Sequence, residues 1–179
     1  NPTLINRPKD IRNPNTLTEH VLQHAHNRIK HDLGGINKIK YYVLLYANGG
    51  FINSALIKKA IKKLDNNKKF DSCVGVVSAD MFTPIRAKKI NKKNQIQPFI
   101  KLSHFKNITS NRDSAGSAYF MDLSLQIIKP KCFEKMNGNQ KPFLWLGNNI
   151  LPYEKEFGGD IDALWQFSLL EKWLKKNFN

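Results

Sequence analysis

The chain has 179 residues, of which 41% are hydrophobic and 11% aromatic, which suits a single folded domain and excludes an intrinsically disordered chain. Its formal net charge of +15 and its pI of about 9.9 indicate an anionic partner, either nucleic acid or a small anionic substrate. No apolar run approaches the roughly 18 residues of a membrane span, so no membrane association is expected.

The basic residues are dispersed rather than gathered in one arm. Adjacent lysines occur at 58–59, 62–63, 68–69, 88–89 and 92–93. The pairs in the 50s and 60s fall on the solvent face of an amphipathic helix, so a small anionic substrate is favoured over nucleic acid.

The two cysteines, Cys73 and Cys132, make neither a disulfide framework nor a zinc site. A reducing, cytoplasmic setting is therefore the default expectation. The chain starts at Asn1 rather than Met and shows no signal peptide, so an upstream segment is expected to have been removed or left out.

The first helix is predicted from its start signal. Residues 1–15 contain three prolines and have the composition of a loop. Thr16 and Glu19 have the spacing of a capping box, which predicts a helix running to about Asp32.

Four histidines lie on this predicted helix. His20, His24 and His31 share a face beside the apolar stripe, and a His-x-x-x-His spacing can bind zinc. No acidic or thiol ligand is obvious nearby, so solvated surface histidines are the preferred interpretation.

Two apolar runs predict buried strands. Residues 41–46 show no alternation, which is typical of a central parallel strand buried on both faces. They lead into the glycine-containing loop 47–50, at the end of a strand where α/β sheets usually bind ligands. Asn53 is expected to cap the next helix, and residues 71–78 form the second strand. This strand–helix–strand unit predicts a right-handed crossover.

The middle of the chain changes character. Residues 85–90 and 96–102 predict two strands joined by a polar turn, and residues 116–121 predict another. A final helix is expected over about 163–177. Its two tryptophans, at 165 and 173, are predicted to be core anchors.

An acidic pair precedes that final helix. Asp160 and Asp162 follow two glycines, and residues i and i+2 of an extended or turn backbone point to the same side. The two carboxylates could therefore hold one Mg²⁺, which takes one or two carboxylates together with substrate phosphates. The alternative is that one of them caps the helix.

Six segments carry a resemblance when they are taken in order. They are Arg7-Pro8 with Thr16 and Thr18, the strand 43–45 with its loop 47–50, Asp71-Ser72 with Val76-Val77, Thr83-Pro84 through Ile90 with Gln97-Pro98, Gly116-Ser117-Ala118-Tyr119, and Asp160-Ile161-Asp162. Together they resemble the acylneuraminate cytidylyltransferase family, the CMP-sialic acid synthetase group, over most of the chain.

The resemblance implies a fold and a reaction. The fold is α/β, with a Rossmann-like mixed, mostly parallel sheet flanked by helices. A small β-hairpin insert at approximately 81–125 would mediate a homodimer within a single domain, 1–179, that lacks an N-terminal piece. In the reaction, the anomeric hydroxyl of a 2-keto sugar acid attacks the α-phosphate of CTP, and pyrophosphate leaves.

The resemblance also implies site residues. Asp160 and Asp162 would be catalytic and would hold Mg²⁺. The nucleotide would contact Arg7, Thr16 and Thr18. The sugar would contact Tyr46, Asn48, Arg86, Lys88, Arg112 and Tyr119.

Departures from the family leave alternatives open. The family's first strand and its phosphate-cradling glycine loop have no counterpart in residues 1–15, which predicts either a truncated piece or a diverged chain with impaired nucleotide binding. The loop 47–50 also lacks the family's Thr-Ser-Pro. The competing interpretations are an Asp-x-Asp glycosyltransferase, a non-catalytic homologue and a basic nucleic-acid binder.

Overall fold

The computed structural model describes residues 2–105, 107–111, 114 and 116–178, and the backbone alone of residue 104. The helices described are α1 Thr18–Asp32, α2 Ser54–Asp65, α3 Lys131–Glu134 and α4 Phe167–Phe178. The strands described are β1 Tyr42–Leu44, β2 Ser72–Ser78, β3 Lys88–Ile90, β4 Ile96–Pro98, β5 Tyr119–Ile128 and β6 Ile150–Glu154. Within these ranges, no helix is both long and apolar enough to cross a membrane.

The main sheet has four strands in the order β1-β5-β2-β6. β5 is antiparallel to both of its neighbours, whereas β2 and β6 are parallel. The predicted α/β architecture, a mixed sheet flanked by helices, is confirmed. β1, β2 and β6 share one direction, but β5 lies between β1 and β2, so of the neighbouring pairs described in this sheet only β2 and β6 are parallel. The expectation of a mostly parallel sheet is therefore wrong.

The prediction of a central first strand is wrong. β1 lies at the edge of the sheet, and Val43 and Leu45 are 38% and 53% exposed. An unbroken apolar run shows that a strand has apolar residues on both faces, but not how many neighbours it has. β5 is buried on both faces, with Leu125, Ile127 and Ile128 fully buried, and β2 is as well, through Cys73 and Val74.

Two apolar clusters sandwich the sheet. On one face, Leu125 and Ile127 of β5 join Ala60 and Leu64 of α2. On the other face, Ile128 belongs to a cluster of Val74, Ile128, Cys132, Phe133, Met136, Trp145 and Leu146. Side chains that alternate along β5 therefore pack into opposite clusters, as the twofold alternation of a strand requires.

The predicted N-terminal cap is observed for α2 but not for α1. Asn53 caps α2 as predicted, because its side chain accepts a hydrogen bond from the Leu56 amide at 2.9 Å. The prediction of a capping box for α1 is wrong, since the N-cap is Leu17 and no side-chain hydrogen bond caps the helix in the described chain. The helix starts one residue late, so Glu19 is its second residue rather than its third and cannot complete the box.

Of the remaining predicted elements, β3, β4 and α4 are shorter than the sequence suggests, whereas the strand predicted over 116–121 is longer and begins later, as β5. β3 and β4 pair as a separate antiparallel hairpin, with Ile90 opposite Ile96. Trp173 of α4 is buried as predicted, at 6% exposure. The prediction for Trp165 is wrong, because it lies in the turn before α4 and is 68% exposed.

Truncating Leu125 to alanine should lower the free energy of unfolding by about 2–5 kcal/mol, because it removes a fully buried side chain from the central strand. Urea denaturation measures the change. The same truncation at Leu164, which is 87% exposed, should change stability by less than about 0.5 kcal/mol. Equal losses in both variants would contradict the assignment of β5 as the core strand.

Candidate metal and nucleotide site

Three segments converge where the carboxyl ends of β1 and β6 meet, which we call the acidic edge of the sheet. β1 and β6 run in the same direction, so the loops that follow them leave from the same edge. β5 runs the opposite way, so its N-terminal half, including Asp122, lies at this edge too. The edge therefore collects the loop 45–51, the first half of β5 and the segment 155–162.

Asn48 joins two of these segments. Its side-chain Nδ2 donates to Oδ1 of Asp162 at 2.9 Å, and its backbone carbonyl accepts from the amide of Ile161 at 2.9 Å. The glycine loop after β1 and the acidic pair before α4 thus meet directly, although they are far apart in the sequence. The second oxygen of Asp162 is left without a protein donor in the described part of the chain.

Of the acidic pair, Asp160 has the less stabilised carboxylate. Its Oδ1 is buried and has no hydrogen-bond partner among the described residues. Burial raises the pKa of Asp160, and the negative charges of Asp162 and Asp122 raise it further. A bound cation would relieve both the missing partner and the repulsion, so these residues fit a hard divalent ion.

The helix-cap alternative for this pair is not supported. The residue before the turn that leads into α4 is Ala163, and the amides of Asp162 and Ala163 are held by Oε1 of Gln166 at 2.7 and 2.6 Å. Neither carboxylate of the pair bonds to a backbone amide in the described chain. The side-chain oxygen of Gln166 therefore accepts these amide hydrogen bonds in place of a capping carboxylate.

Sequence reasoning missed a second charged pair at this edge. Asp122, on β5, is fully buried and forms an ion pair with Lys155, whose side chain is 2% exposed. Burial lowers the pKa of Lys155, and the hydrogen bond that its ammonium donates to Asp122 opposes that shift. A signal was present, because a carboxylate inside the apolar run 119–128 must find a partner if it is buried.

Tyr46 is affected by charges from both the acidic edge and α1. Burial raises the pKa of the Tyr46 phenol, the hydrogen bond with Gln126 opposes this, and the charges of Asp160 and Glu19 raise the pKa further. Glu19 lies in the first turn of α1. Thr16 lies just before that turn with its Oγ1 buried and unpartnered, while Thr18 is exposed.

The other predicted contacts lie apart from the carboxylates. Arg7, Arg86 and Lys88 are exposed, and Tyr119 is 52% exposed at the start of β5. In the described part of the chain, no side-chain hydrogen bond joins these four residues to the acidic pair. Arg112 lies outside the described residues.

The histidines of α1 differ in their surroundings. His26, which lies off the predicted face, is buried, and its ring nitrogens lie 2.9 Å from the Tyr42 hydroxyl and 2.8 Å from Glu134. His20 is exposed, in keeping with its prediction as a surface residue. Across residues 2–105, 107–111, 114 and 116–178, no three His, Cys, Asp or Glu side chains are grouped to enclose a metal. A cation at Asp160 and Asp162 would therefore need ligands from a substrate or from water.

Comparison with known proteins adds no assignment. No protein-family model and no curated protein matches the chain.

Replacing Asp160 with asparagine should raise the melting temperature at pH 7 when no divalent cation is present. The raised pKa means that the folded state tolerates the ionised carboxylate less well than the unfolded state does. The contribution of Asp160 to stability is therefore largest below its unfolded pKa, near 3.8, and falls as the pH rises through the folded-state pKa. The gain from Asp160→Asn should accordingly shrink towards acid.

Thermal melts from pH 3 to pH 8 measure this, with the exposed Asp10→Asn as the matched control. Millimolar Mg²⁺ should then raise the melting temperature of the wild type more than that of Asp160→Asn. A variant that is less stable than the wild type at pH 7 without cation would contradict the conclusion that the ionised Asp160 carboxylate destabilises the folded state.

Proposed function

We propose that the chain is a cytidylyltransferase that activates a sialic acid-like 2-keto sugar acid with CTP, giving a CMP-sugar and pyrophosphate with Mg²⁺. The observation that carries the proposal is the buried, unpartnered oxygen of Asp160 beside Asp162, held against the glycine loop at Asn48. The resemblance of six ordered motifs supplies the reaction class.

The chemistry suits a site of this kind. Phosphoryl transfer depends on positioning and on charge neutralisation more than on covalent participation by the protein. When bound, Mg²⁺ supplies the positive charge that the phosphate oxygens require. Asp160 would contribute its unpartnered oxygen, and Asp162 would contribute the oxygen that Asn48 does not occupy.

The nucleotide side would lie towards α1. The charges of Glu19, in the first turn of α1, and of Asp160 both raise the pKa of the Tyr46 phenol, which supports a nucleotide position between α1 and the acidic edge. We therefore place the nucleotide near Thr16 and Thr18, with Arg7 as a cationic contact. The buried, unpartnered Oγ1 of Thr16 is a hydroxyl that a ligand could satisfy.

The sugar side would involve Tyr46 and Asn48 at the glycine loop, with Tyr119 at the start of β5. Arg86 and Lys88 are exposed cations on or near the hairpin and would attract the sugar carboxylate. Arg112 keeps its proposed role in the same contact. Net charge favours this assignment, because both substrates are anionic.

We expect the protein to be cytoplasmic. Cys73 and Cys132 are free and buried, and burial raises the pKa of each thiol to about 11. These thiols are therefore poorly reactive and suit a reducing compartment.

The natural full-length protein should release pyrophosphate from CTP when Mg²⁺ and a suitable 2-keto sugar acid are present, and Asp162→Ala should lower the rate by at least about 100-fold. A coupled pyrophosphate assay across a panel of sugar acids and all four nucleoside triphosphates measures this. Asp10→Asn is the control and should keep the wild-type rate.

Other outcomes identify the alternatives. Release without any preference for CTP would exclude a cytidylyltransferase. Transfer from a nucleotide-sugar without pyrophosphate release would identify a glycosyltransferase. Failure of the full-length protein to bind CTP would favour a non-catalytic homologue, and tight, salt-sensitive binding to random duplex DNA would favour a nucleic-acid binder.

We also propose that the hairpin β3–β4 mediates a homodimer. Ile90 and Ile96 lie opposite each other and are 71% and 74% exposed, and the neighbouring Phe99 is 61% exposed. Contiguous exposed apolar side chains of this kind mark interaction surfaces more often than a single exposed leucine does.

Introducing glutamate at both Ile90 and Ile96 should convert a dimer to a monomer, because a charge cannot be buried without a partner. Light scattering coupled to size exclusion measures the mass in solution. Leu4→Glu, at an exposed apolar position outside the hairpin, is the control and should leave the mass unchanged. A dimer that survives the double substitution would place the interface elsewhere.

A further inference from the structure

The buried pair Asp122–Lys155 is saturated with hydrogen bonds. Besides Asp122, the ammonium of Lys155 reaches the backbone carbonyl of Phe51 at 2.6 Å and Oγ of Ser124 at 2.9 Å. Three N–H groups thus meet three acceptors. Lys155 has no hydrogen left for a substrate phosphate, so it is not placed to act as a catalytic residue.

The carboxylate of Asp122 is equally occupied. Oδ1 accepts from the amides of Ser124 and Gly159 at 3.2 and 3.1 Å, while Oδ2 accepts from the Ser124 hydroxyl at 2.8 Å and from Lys155. Both ends of the segment 155–159 are therefore tied to one carboxylate, at Lys155 and at Gly159. Asp160 is the next residue.

Glycine at position 158 makes this wrapping possible. A Cβ there would lie 2.6 Å from Cγ and 2.8 Å from Cβ of Asp122, which is closer than side chains can pack. The backbone of the segment is thus pressed against the carboxylate. Since Lys155 also holds Phe51, the same pair fixes the end of the glycine loop that carries Asn48.

We propose that Asp122 and Lys155 are positioning residues that clamp the segment 155–160 and the glycine loop, and so fix the two oxygens that Asp160 and Asp162 present to a cation. This deepens the proposed function and rests on it for the cation. The clamp itself rests only on the contacts of the pair. Partners that orient metal ligands from behind typically alter metal affinity roughly 10–100-fold when they are removed.

The test replaces the pair with neutral residues of similar size, in Asp122→Asn/Lys155→Met. A buried ion pair exchanged as a unit usually leaves the fold intact, whereas removing one partner strands a charge. Hydrogen exchange of the Gly159 and Ile161 amides reports the clamp without any metal. Mn²⁺ titration reports the site.

We expect both amides to exchange at least about tenfold faster and Mn²⁺ to bind roughly 10–100-fold more weakly, while the amides of the core half of β5 keep their protection. Confinement of the change to the segment separates positioning from a general loss of stability. The matched control is Asp71→Asn/Lys131→Met, which applies the same exchange to a pair at the other end of β2. It should leave Gly159, Ile161 and Mn²⁺ binding unchanged.

Each result has a separate meaning. Unchanged exchange at Gly159 and Ile161 would overturn the clamp and leave the proposed function intact. Faster exchange in a protein whose wild type binds no Mn²⁺ would support the clamp and remove the metal basis of the proposed function. Should the double variant not fold, Ser124→Ala removes the hydroxyl that bridges the pair, and it should change the same readouts in the same direction but less strongly.

Discussion

The direction of β5 determines where every charged group of the site lies. Because β5 runs against β1, β2 and β6, its first half meets the carboxyl ends of the other strands, and its second half packs between two apolar clusters. Asp122 and Ile127 therefore belong to one strand but to opposite environments. The same strand supplies the core at one end and the anchor of the acidic edge at the other.

A buried carboxylate at Asp122 imposes the rest of the arrangement. An ionised group removed from water is tolerated only when it is paired and hydrogen-bonded. Lys155 supplies the charge and Gly159 supplies an amide, which requires the chain after β6 to fold back over the strand. Asp160 follows beside a carboxylate that is already satisfied, so it is repelled by that charge, and among the described residues no donor reaches its Oδ1.

Sequence patterns predicted the features that depend on local order. The Asn53 cap and the buried second strand each follow from residues close together in the chain. The edge position of β1 and the Asp122–Lys155 pair depend on which strands become neighbours, and neither periodicity nor spacing carries that information. The exposure of Trp165 has the same cause, since its environment is set by distant segments.

The candidate site is acidic, although the molecule as a whole is strongly basic. The chain has a net charge of +15, yet its acidic edge gathers Asp122, Asp160 and Asp162, of which Asp122 is paired with the buried ammonium of Lys155. The general field would draw a triphosphate towards the protein, while the local carboxylates would repel it at close range. Under the proposed function, a cation between them would reconcile the two, and a nucleotide that brings its own Mg²⁺ would bind where the free anion would not.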